Sequence, residues 1–495
     1  MNQPSIIVKN LEIKMQGNTV LDAVSFLLHN DEHLAIIGES GSGKTILAKA
    51  LAGQLFYKGT IDIPSPQKPL FVEQHYHFKN LANVSSDFYY QQRYNSFDAA
   101  DSATVIEELV KVVMEQANAL ESFHKIETLL TLLEMQPLKE APIVQLSSGE
   151  HKRFQLIRAL LAPAQILILD SPFIGLDINS RKRLQQIINE TAATGITVII
   201  ICDAHEIPRC ITHIVTMEKG KLKSFKAKHS GITNSLSTGG SNHLYNLNLL
   251  PRIEEKEHNF LVAVNMVNTS VRYSNKTILN NINWQVNRGE KWLLQGHNGA
   301  GKSTLLSLIT GDNPQAYANE IYLFGKRRGH GESIWDIKQK IGYISPELHW
   351  YFDTNITCYQ TIGSGFFDTI GLYRKLNTQQ HNILQQWLDF LHLSHVANKP
   401  LNSISTGQQR LILLIRALVK NPPLLVLDEP CQGLDQQQKI EFVHLINKLC
   451  DKFNKTLIYV SHYQNEIPAC ITHVLELNRG MQNIYTLETN TAIAV

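Results

Sequence analysis

The residues Gly296 to Ser303, GHNGAGKS, fit the pattern GxxxxGK[ST] without a mismatch. Such a loop holds phosphates. Glycine lets the backbone of Gly296, Asn298, Gly299 and Gly301 wrap closely enough for N–H groups to face phosphate oxygens, and the helix expected through Ser303 and Thr304 offers its positive end. Lys302 would reach the β- and γ-phosphates and Ser303 would ligate Mg²⁺. The pattern recurs at Gly38 to Thr45, GESGSGKT, where Gly38, Ser40, Gly41, Gly43, Lys44 and Thr45 take the corresponding places. The chain therefore carries two candidate nucleotide sites.

Each loop must be held by a strand before it and a helix after it. The apolar runs His33 to Ile37 and Lys291 to Gln295 supply the strands. The two lysines lie 258 residues apart (302 − 44), and the same offset relates Ser147 in LSSGE to Ser405 in ISTGQ and Asp170 in ILILD to Asp428 in LLVLD. EIPRCITH at Glu206 to His213 repeats as EIPACITH at Glu466 to His473, with the offset grown to 260. The chain is a duplication. Residues 1–225 form the first domain and 261–495 the second, and the Ser/Gly/Asn/Thr-rich stretch 226–260 reads as a flexible linker. In each domain apolar runs alternate with longer helical stretches, which predicts an α/β fold with a mostly parallel core sheet and a helical subdomain. The openings, Ser5 to Phe26 and Val262 to Trp284, read instead as an antiparallel β subdomain.

With 46 Lys+Arg against 44 Asp+Glu, a net charge of +2 advertises neither nucleic acid nor acidic lipid. The six cysteines show no CxxC pair or metal-ligand spacing, and the N-terminus has no signal layout, which fits a reducing cytoplasm. No apolar run approaches the roughly 18 residues of a membrane span, so a membrane role requires a partner.

The order of motifs is specific: a P-loop, then a Ser-Gly signature (Ser147, Ser148 and Gly149; Ser405, Thr406 and Gly407), then an apolar strand ending in Asp, then a GLD triplet at Gly175 to Asp177 and Gly433 to Asp435. This order resembles the ATP-binding cassette (ABC) ATPases over essentially the whole chain outside the linker. The resemblance implies ATP and Mg²⁺ as ligands and a head-to-tail pairing of the two domains, each ATP lying between the P-loop of one and the signature of the other. It also implies metal ligands, Thr45, Asp170 and Gln74 in the first half and Ser303 and Asp428 in the second.

It further implies that the two sites are unequal. Glu429, after Asp428, matches the family's general base, whereas Asp170 is followed by Ser171, a poor proton acceptor near neutral pH. His462 matches the switch histidine; the first-half slot holds Cys202 or Asp203, depending on a one-residue gap, with His205 several positions late. Tyr273 matches the aromatic that stacks on adenine, against Met15 in the first half, although such a ring also serves as packing. Where Gln74 stands in the first half, the second has Pro346 or Glu347, the latter either a magnesium ligand or a solvated carboxylate. The expected hydrolytic site uses Lys302, Ser303, Asp428, Glu429 and His462 with the first signature. The site of Lys44, Thr45, Asp170 and Ser171 with the second signature is expected to bind ATP and turn it over poorly.

Two loads remain. One is a membrane permease energised from the cytoplasmic face; the other is a soluble mechanoenzyme acting on ribosomes, nucleic acid or protein. A Ser/Gly/Asn-rich linker and Ser171 depart from the translation-factor branch. Gly325 to His349, the CITH element and the two-domain layout resemble the bacterial tandem ATP-binding proteins assigned to molybdate transport, the ModF or photorepair type. Lys326, Arg327 and Arg328 read as a solvated hairpin in preference to an anion site, and the aromatic-rich Phe88 to Phe97 as a partner surface or as packing.

Overall fold

The computed structural model describes residues 4–15, 17–63, 69–73, 103–114, 119–143, 146, 148–162, 164–228, 250–251, 259–273, 276–346, 348, 352 and 355–487. Gln74, Ser147, Glu347, the aromatic segment 88–97 and linker residues 229–249 lie outside them. The chain divides into two compact units, one holding the described residues up to 228 and the other those from 250 onward.

The first unit runs β1 (Pro4–Met15), β2 (Asn18–His29), β3 (Leu34–Gly38), α1 (Lys44–Leu51), β4 (Lys58–Asp62), β5 (Pro69–Val72), α2 (Val105–Met114), α3 (Ala119–Leu132), α4 (Ser148–Leu161), β6 (Ile166–Asp170), α5 (Ile178–Ala193), β7 (Thr197–Ile201), β8 (His213–Glu218) and β9 (Lys221–Ala227). The second unit repeats the plan. It runs β10 (Val262–Tyr273), β11 (Lys276–Asn287), β12 (Lys291–Gly296), α6 (Lys302–Thr310), β13 (Glu320–Leu323), β14 (Lys326–Arg327), α7 (Ile334–Lys338), β15 (Ile341–Ile344), α8 (Cys358–Ser364), α9 (Thr378–Phe390), α10 (Thr406–Leu418), β16 (Leu424–Asp428), α11 (Gln436–Phe453), β17 (Thr456–Val460), β18 (His473–Asn478) and β19 (Met481–Thr486).

Each unit is α/β. The core sheets have the orders β5-β6-β7-β3-β8-β9 and β15-β16-β17-β12-β18-β19, all neighbours parallel except the last pair. Separate antiparallel sheets, β2-β1-β4 and β11-β10-β13-β14, form the expected β subdomains. The runs ILILD and LLVLD become strands buried at every residue, because a parallel sheet is covered on both faces and has no solvent side to make polar. One core in the second unit joins α8, α9, α10 and α11 through Ile362, Leu384, Trp387, Leu413 and Leu445, all buried. No helix among the described residues is long and apolar enough to cross a membrane.

The basic run Lys326 to Arg328 divides. Lys326 and Arg327 form the exposed β14, paired to Leu323 and Tyr322. Arg328 does not stay solvated as expected: it is 3% exposed, lies 3.0 Å from Glu332 and packs over the Tyr317 ring at 4.9 Å. Two residues alternate faces in a strand, but the third has left the strand and turned inward. Removing one member of a buried ion pair strands the other's charge, so Arg328→Ala should cost about 3 kcal/mol. Lys326→Ala should cost less than about 0.5 kcal/mol. Urea unfolding of the three proteins decides this, and equal midpoints for both variants would contradict it.

Candidate functional site

Three parallel strands of each unit end side by side, and the site sits where they end. In the second unit Leu294 of β12 pairs with Val460 of β17, and Val460 with Asp428 of β16. In the first, Ile36 of β3 pairs with Ile201 of β7, and Ile201 with Asp170 of β6. The phosphate loop, the Asp-Glu or Asp-Ser step and the residues after β17 or β7 thus emerge together at the carboxyl edge, where open α/β sheets bind ligands.

In the second unit Gly296, Gly299 and Gly301 have φ of 151°, 79° and 103°, a backbone that side chains resist. A Cβ on Gly301 would also meet Leu279 at 2.8 Å. Lys302 opens α6, is 9% exposed, and its Nζ donates to the carbonyls of Gly296 at 2.8 Å and His297 at 3.1 Å. The ammonium is thereby fixed over the loop. Gly301 and Gly43 cap α6 and α1 with no side-chain hydrogen bond, whereas α7, α8, α9, α10 and α11 are each capped by a Ser, Thr, Asn or Asp side chain. No cap side chain competes with an anion at the first turns of the loop helices, the arrangement that suits phosphate. Ser303 and Thr304 stand on that first turn.

The first unit repeats this geometry. Gly38, Gly41 and Gly43 have φ of 146°, 78° and 96°, Ser40 lies in the loop, and Lys44 Nζ donates to the carbonyls of Gly38 at 2.7 Å and Glu39 at 2.6 Å. Thr45 Oγ1 donates to Asp170 Oδ2 at 2.8 Å. A hydroxyl and a carboxylate side by side at a phosphate loop are hard oxygen donors that fit Mg²⁺, which binds few protein groups and keeps waters. Ser303 and Asp428, 7% exposed, hold the same places in the second unit.

The units part at the next residue. Glu429 and Ser171 both sit in the left-handed region, φ 43° and 50°, and their N–H groups donate to Val460 and Ile201 carbonyls, each at 3.0 Å. Glu429 Oε1 lies 3.2 Å from Nε2 of His462, and both side chains are largely buried. Ser171 Oγ donates instead to Asp170 Oδ1 at 2.9 Å. The ladder also places the gap: Cys202 and Asp203 follow Ile201 as Ser461 and His462 follow Val460, so Asp203 stands in the histidine's place. His205 lies in the next short 3-10 helix. Burial pushes the Cys202 thiol well up, which leaves it inert.

Register likewise equates Tyr273, paired with Lys276, and Met15, paired with Asn18. The Tyr273 hydroxyl accepts from Asn313 Nδ2 at 2.8 Å, and the half-buried ring packs at the edge of a core. Met15 is 43% exposed. In the second signature Ser405 caps α10: its Oγ accepts from Gln408 N–H at 3.3 Å and Gln408 Oε1 accepts from Ser405 N–H at 3.2 Å. Thr406 begins the helix. A Cβ on Gly407 would meet Gln438 Nε2 at 2.5 Å, so a side chain there would displace the amide of Gln438, which completes the cap of α11 on Asp435. Ser148 and Gly149 open α4 in the first unit.

Residues the motif reading passed over complete the site. Arg410 on α10, Gln432 between Glu429 and Asp435, and Asn313 behind Tyr273 carried a signal only as mismatches at the 258-residue offset, Lys152 for Arg410 and Ile174 for Gln432. Burial lowers Lys152 to about 8 against the pull of Asp170, and its Nζ donates to the Glu73 carbonyl at 3.1 Å.

The chain matches the ABC transporter family over residues 21–174 and 279–432. The ABC transporter ATP-binding protein ModF of Escherichia coli (strain K12) is 36% identical over 479 residues, 94% of this chain and 94% of that protein. An uncharacterized ABC transporter ATP-binding protein of Schizosaccharomyces pombe (strain 972) is 31% identical over 495 residues, 94% of this chain and 98% of that protein. The archaeal ribosome recycling factor aABCE1, solved in complex with the ribosomal stalk protein aP1, has a TM-score of 0.53 at 19% identity, covering 96% of this chain and 88% of that one. This last likeness is one of fold.

If the Tyr273 ring carries a base, truncation should weaken ATP at one of two sites by about tenfold, roughly 1.4 kcal/mol, while Tyr273→Phe stays within about twofold. Titration calorimetry with a non-hydrolysable ATP analogue reads both sites at once. Two unchanged affinities in Tyr273→Ala would assign the ring to packing alone.

Proposed function

The chain belongs to the ABC transporter family as a tandem ABC ATPase, and from that premise we propose that it hydrolyses ATP chiefly at one site to energise a separate membrane permease. The observation that carries the single-site reading is the 3.2 Å contact between Glu429 and His462, against Ser171 and Asp203 at the same places in the first half. In the proposed cycle Lys302, Ser303 and the first turn of α6 hold the triphosphate, and Tyr273 holds the base. Mg²⁺, when bound through Ser303 and Asp428, neutralises phosphate charge. Water oxygen forms the new bond to the γ-phosphorus as the bridging bond breaks and its electron pair leaves with ADP. Glu429 takes the proton, and His462 beside it orients the carboxylate and faces the γ-phosphate.

The first-half site is read as a binding site with slow turnover. It keeps Lys44, Thr45 and Asp170, which hold phosphate and metal, while the hydroxyl of Ser171 is committed to Asp170 and is no base at neutral pH. Head-to-tail pairing of the two halves, each signature closing on the other's P-loop, would let ATP act as the glue and hydrolysis as the release. A permease load is supported by likeness along nearly the full length of ModF, a named transporter ATP-binding protein, and the sequence resemblance implies molybdate as its cargo. Such a partner would bring the chain to the cytoplasmic face of the membrane.

Two measurements test the reading. Glu429→Gln and Lys302→Ala should each lower steady-state ATPase by at least about a hundredfold. Ser171→Ala should stay within about twofold, and Lys44→Ala should fall between the two. Loss with Lys44→Ala and none with Lys302→Ala would reverse the assignment of sites. For the load, tagged Glu429→Gln is held closed with ATP and Mg²⁺ and its co-purifying material identified. One membrane permease supports the proposal; ribosomal particles or soluble proteins alone replace it with a soluble mechanoenzyme.

A further inference from the structure

We propose that Gln432 and Arg410 are positioning residues for the Glu429 carboxylate, tying it to the helix that starts at the second signature. The inference rests on the reading of Glu429 as the base. Glu429 has a polar neighbour at each oxygen, one of them a hydrogen bond. Its Oε1 faces His462, and its Oε2 accepts from Gln432 Nε2 at 3.3 Å. Gln432 is in turn held by Arg410: Nε donates to the Gln432 carbonyl at 3.2 Å and Nη2 to Gln432 Oε1 at 3.4 Å.

The order of these contacts fixes which way the amide points. A flipped Gln432 would turn its NH₂ toward a guanidinium and its oxygen toward a carboxylate, two repulsions in place of two attractions. Arg410 therefore sets the amide, and the amide presents a donor to Glu429. Packing alone does not call for such an arginine. The side chain is 2% exposed and its Nη1 has no hydrogen-bond partner among the described residues. Burying a guanidinium is costly unless a negative charge offsets it. Burial pulls Arg410 down to about 10, and the negative charge of Glu429 is one of the two influences that pull it back.

The duplication supplies an internal control. In the first half the three places read Lys152, Ser171 and Ile174. No base stands there, the Ile174 side chain can neither donate nor accept, and Lys152 turns to the Glu73 carbonyl. The same half keeps Lys44, Thr45 and Asp170 in hydrogen-bonded order. The two residues are absent from that half together with the base, while the phosphate and metal groups are present. That pattern assigns Gln432 and Arg410 to the base and separates them from nucleotide binding. It also gives α10 a second role, because the residue that orients Glu429 hangs from the second turn of the helix whose first turn is the Ser405 signature.

Gln432→Met keeps the side-chain length and removes the donor, and it is tested in the full chain. Its kcat should fall about 30-fold, within the range a misplaced catalytic group produces, with KM for ATP within about twofold of wild type. In a Glu429→Gln background the same substitution should change residual turnover by less than about twofold. Arg410→Lys, the residue of the first half, should show a smaller loss of kcat, again with KM for ATP within about twofold, and serves if Gln432→Met does not fold. A folded Gln432→Met with wild-type kcat overturns the positioning role, as does an equal loss in the Glu429→Gln background. If Glu429→Gln itself retains wild-type turnover, it is the base assignment that fails.

Discussion

One backbone hydrogen bond recurs at the centre of each half: the N–H of the residue after the strand-end aspartate donates to the carbonyl that ends the neighbouring strand, at 3.0 Å for Glu429 to Val460 and for Ser171 to Ile201. It carries the parallel ladder one residue beyond the sheet and holds that residue at a positive φ that a non-glycine side chain resists. The sharp turn frees the following segment to run toward Gly433 or Gly175 and the start of the next helix. Everything with a chemical role is arranged around that step. The phosphate loop lies across the same edge from β12 or β3, and the histidine or its replacement follows the strand that supplies the accepting carbonyl.

Both halves keep this strained turn, although only one keeps a carboxylate on it. The turn is thus a requirement of the chain path, and the side chain placed on it is free to differ. That separation explains how one half can lose a catalytic group without losing its fold. The Thr45–Asp170 hydrogen bond and the lysine folded over its loop persist because they depend on backbone geometry that the duplication preserved. The Asp170 carboxylate is engaged by hydroxyls on both oxygens, Thr45 on one and Ser171 on the other, so the serine completes the local hydrogen bonding in place of reaching out toward a water.

Much of this was legible in the sequence because the informative residues obey short-range rules. Glycines at fixed spacing need a positive φ, apolar runs five residues long fit a buried parallel strand, and two copies at one offset calibrate each other. The antiparallel subdomains were likewise readable from alternation. What could not be read depends on register or on inward turns. Whether Cys202 or Asp203 matches His462 is a one-residue question that only the ladder decides, since the loop that follows differs in length between the halves. Arg328 looked like the third member of a solvated basic run because nothing local marks the residue at which a strand ends and its side chain turns inward to Glu332. Gln432 was invisible for a different reason: its partner Arg410 is distant in sequence and both are unremarkable residue types.

The contrast between motif and mismatch has a physical basis. A motif marks groups that touch the ligand, and those must match the ligand's shape in both halves as long as both bind it. Groups that act through a neighbour answer only to that neighbour. Once Glu429 gives way to serine, an amide at position 174 would have no carboxylate to serve, and a buried guanidinium at 152 would have no offsetting charge beyond the aspartate already engaged by hydroxyls. Isoleucine in place of the amide removes one buried polar burden, and lysine in place of the guanidinium leaves a buried amine with a carbonyl to accept from it. In a duplicated chain, then, the positions that change together between halves point to supporting residues that the shared motifs leave unmarked.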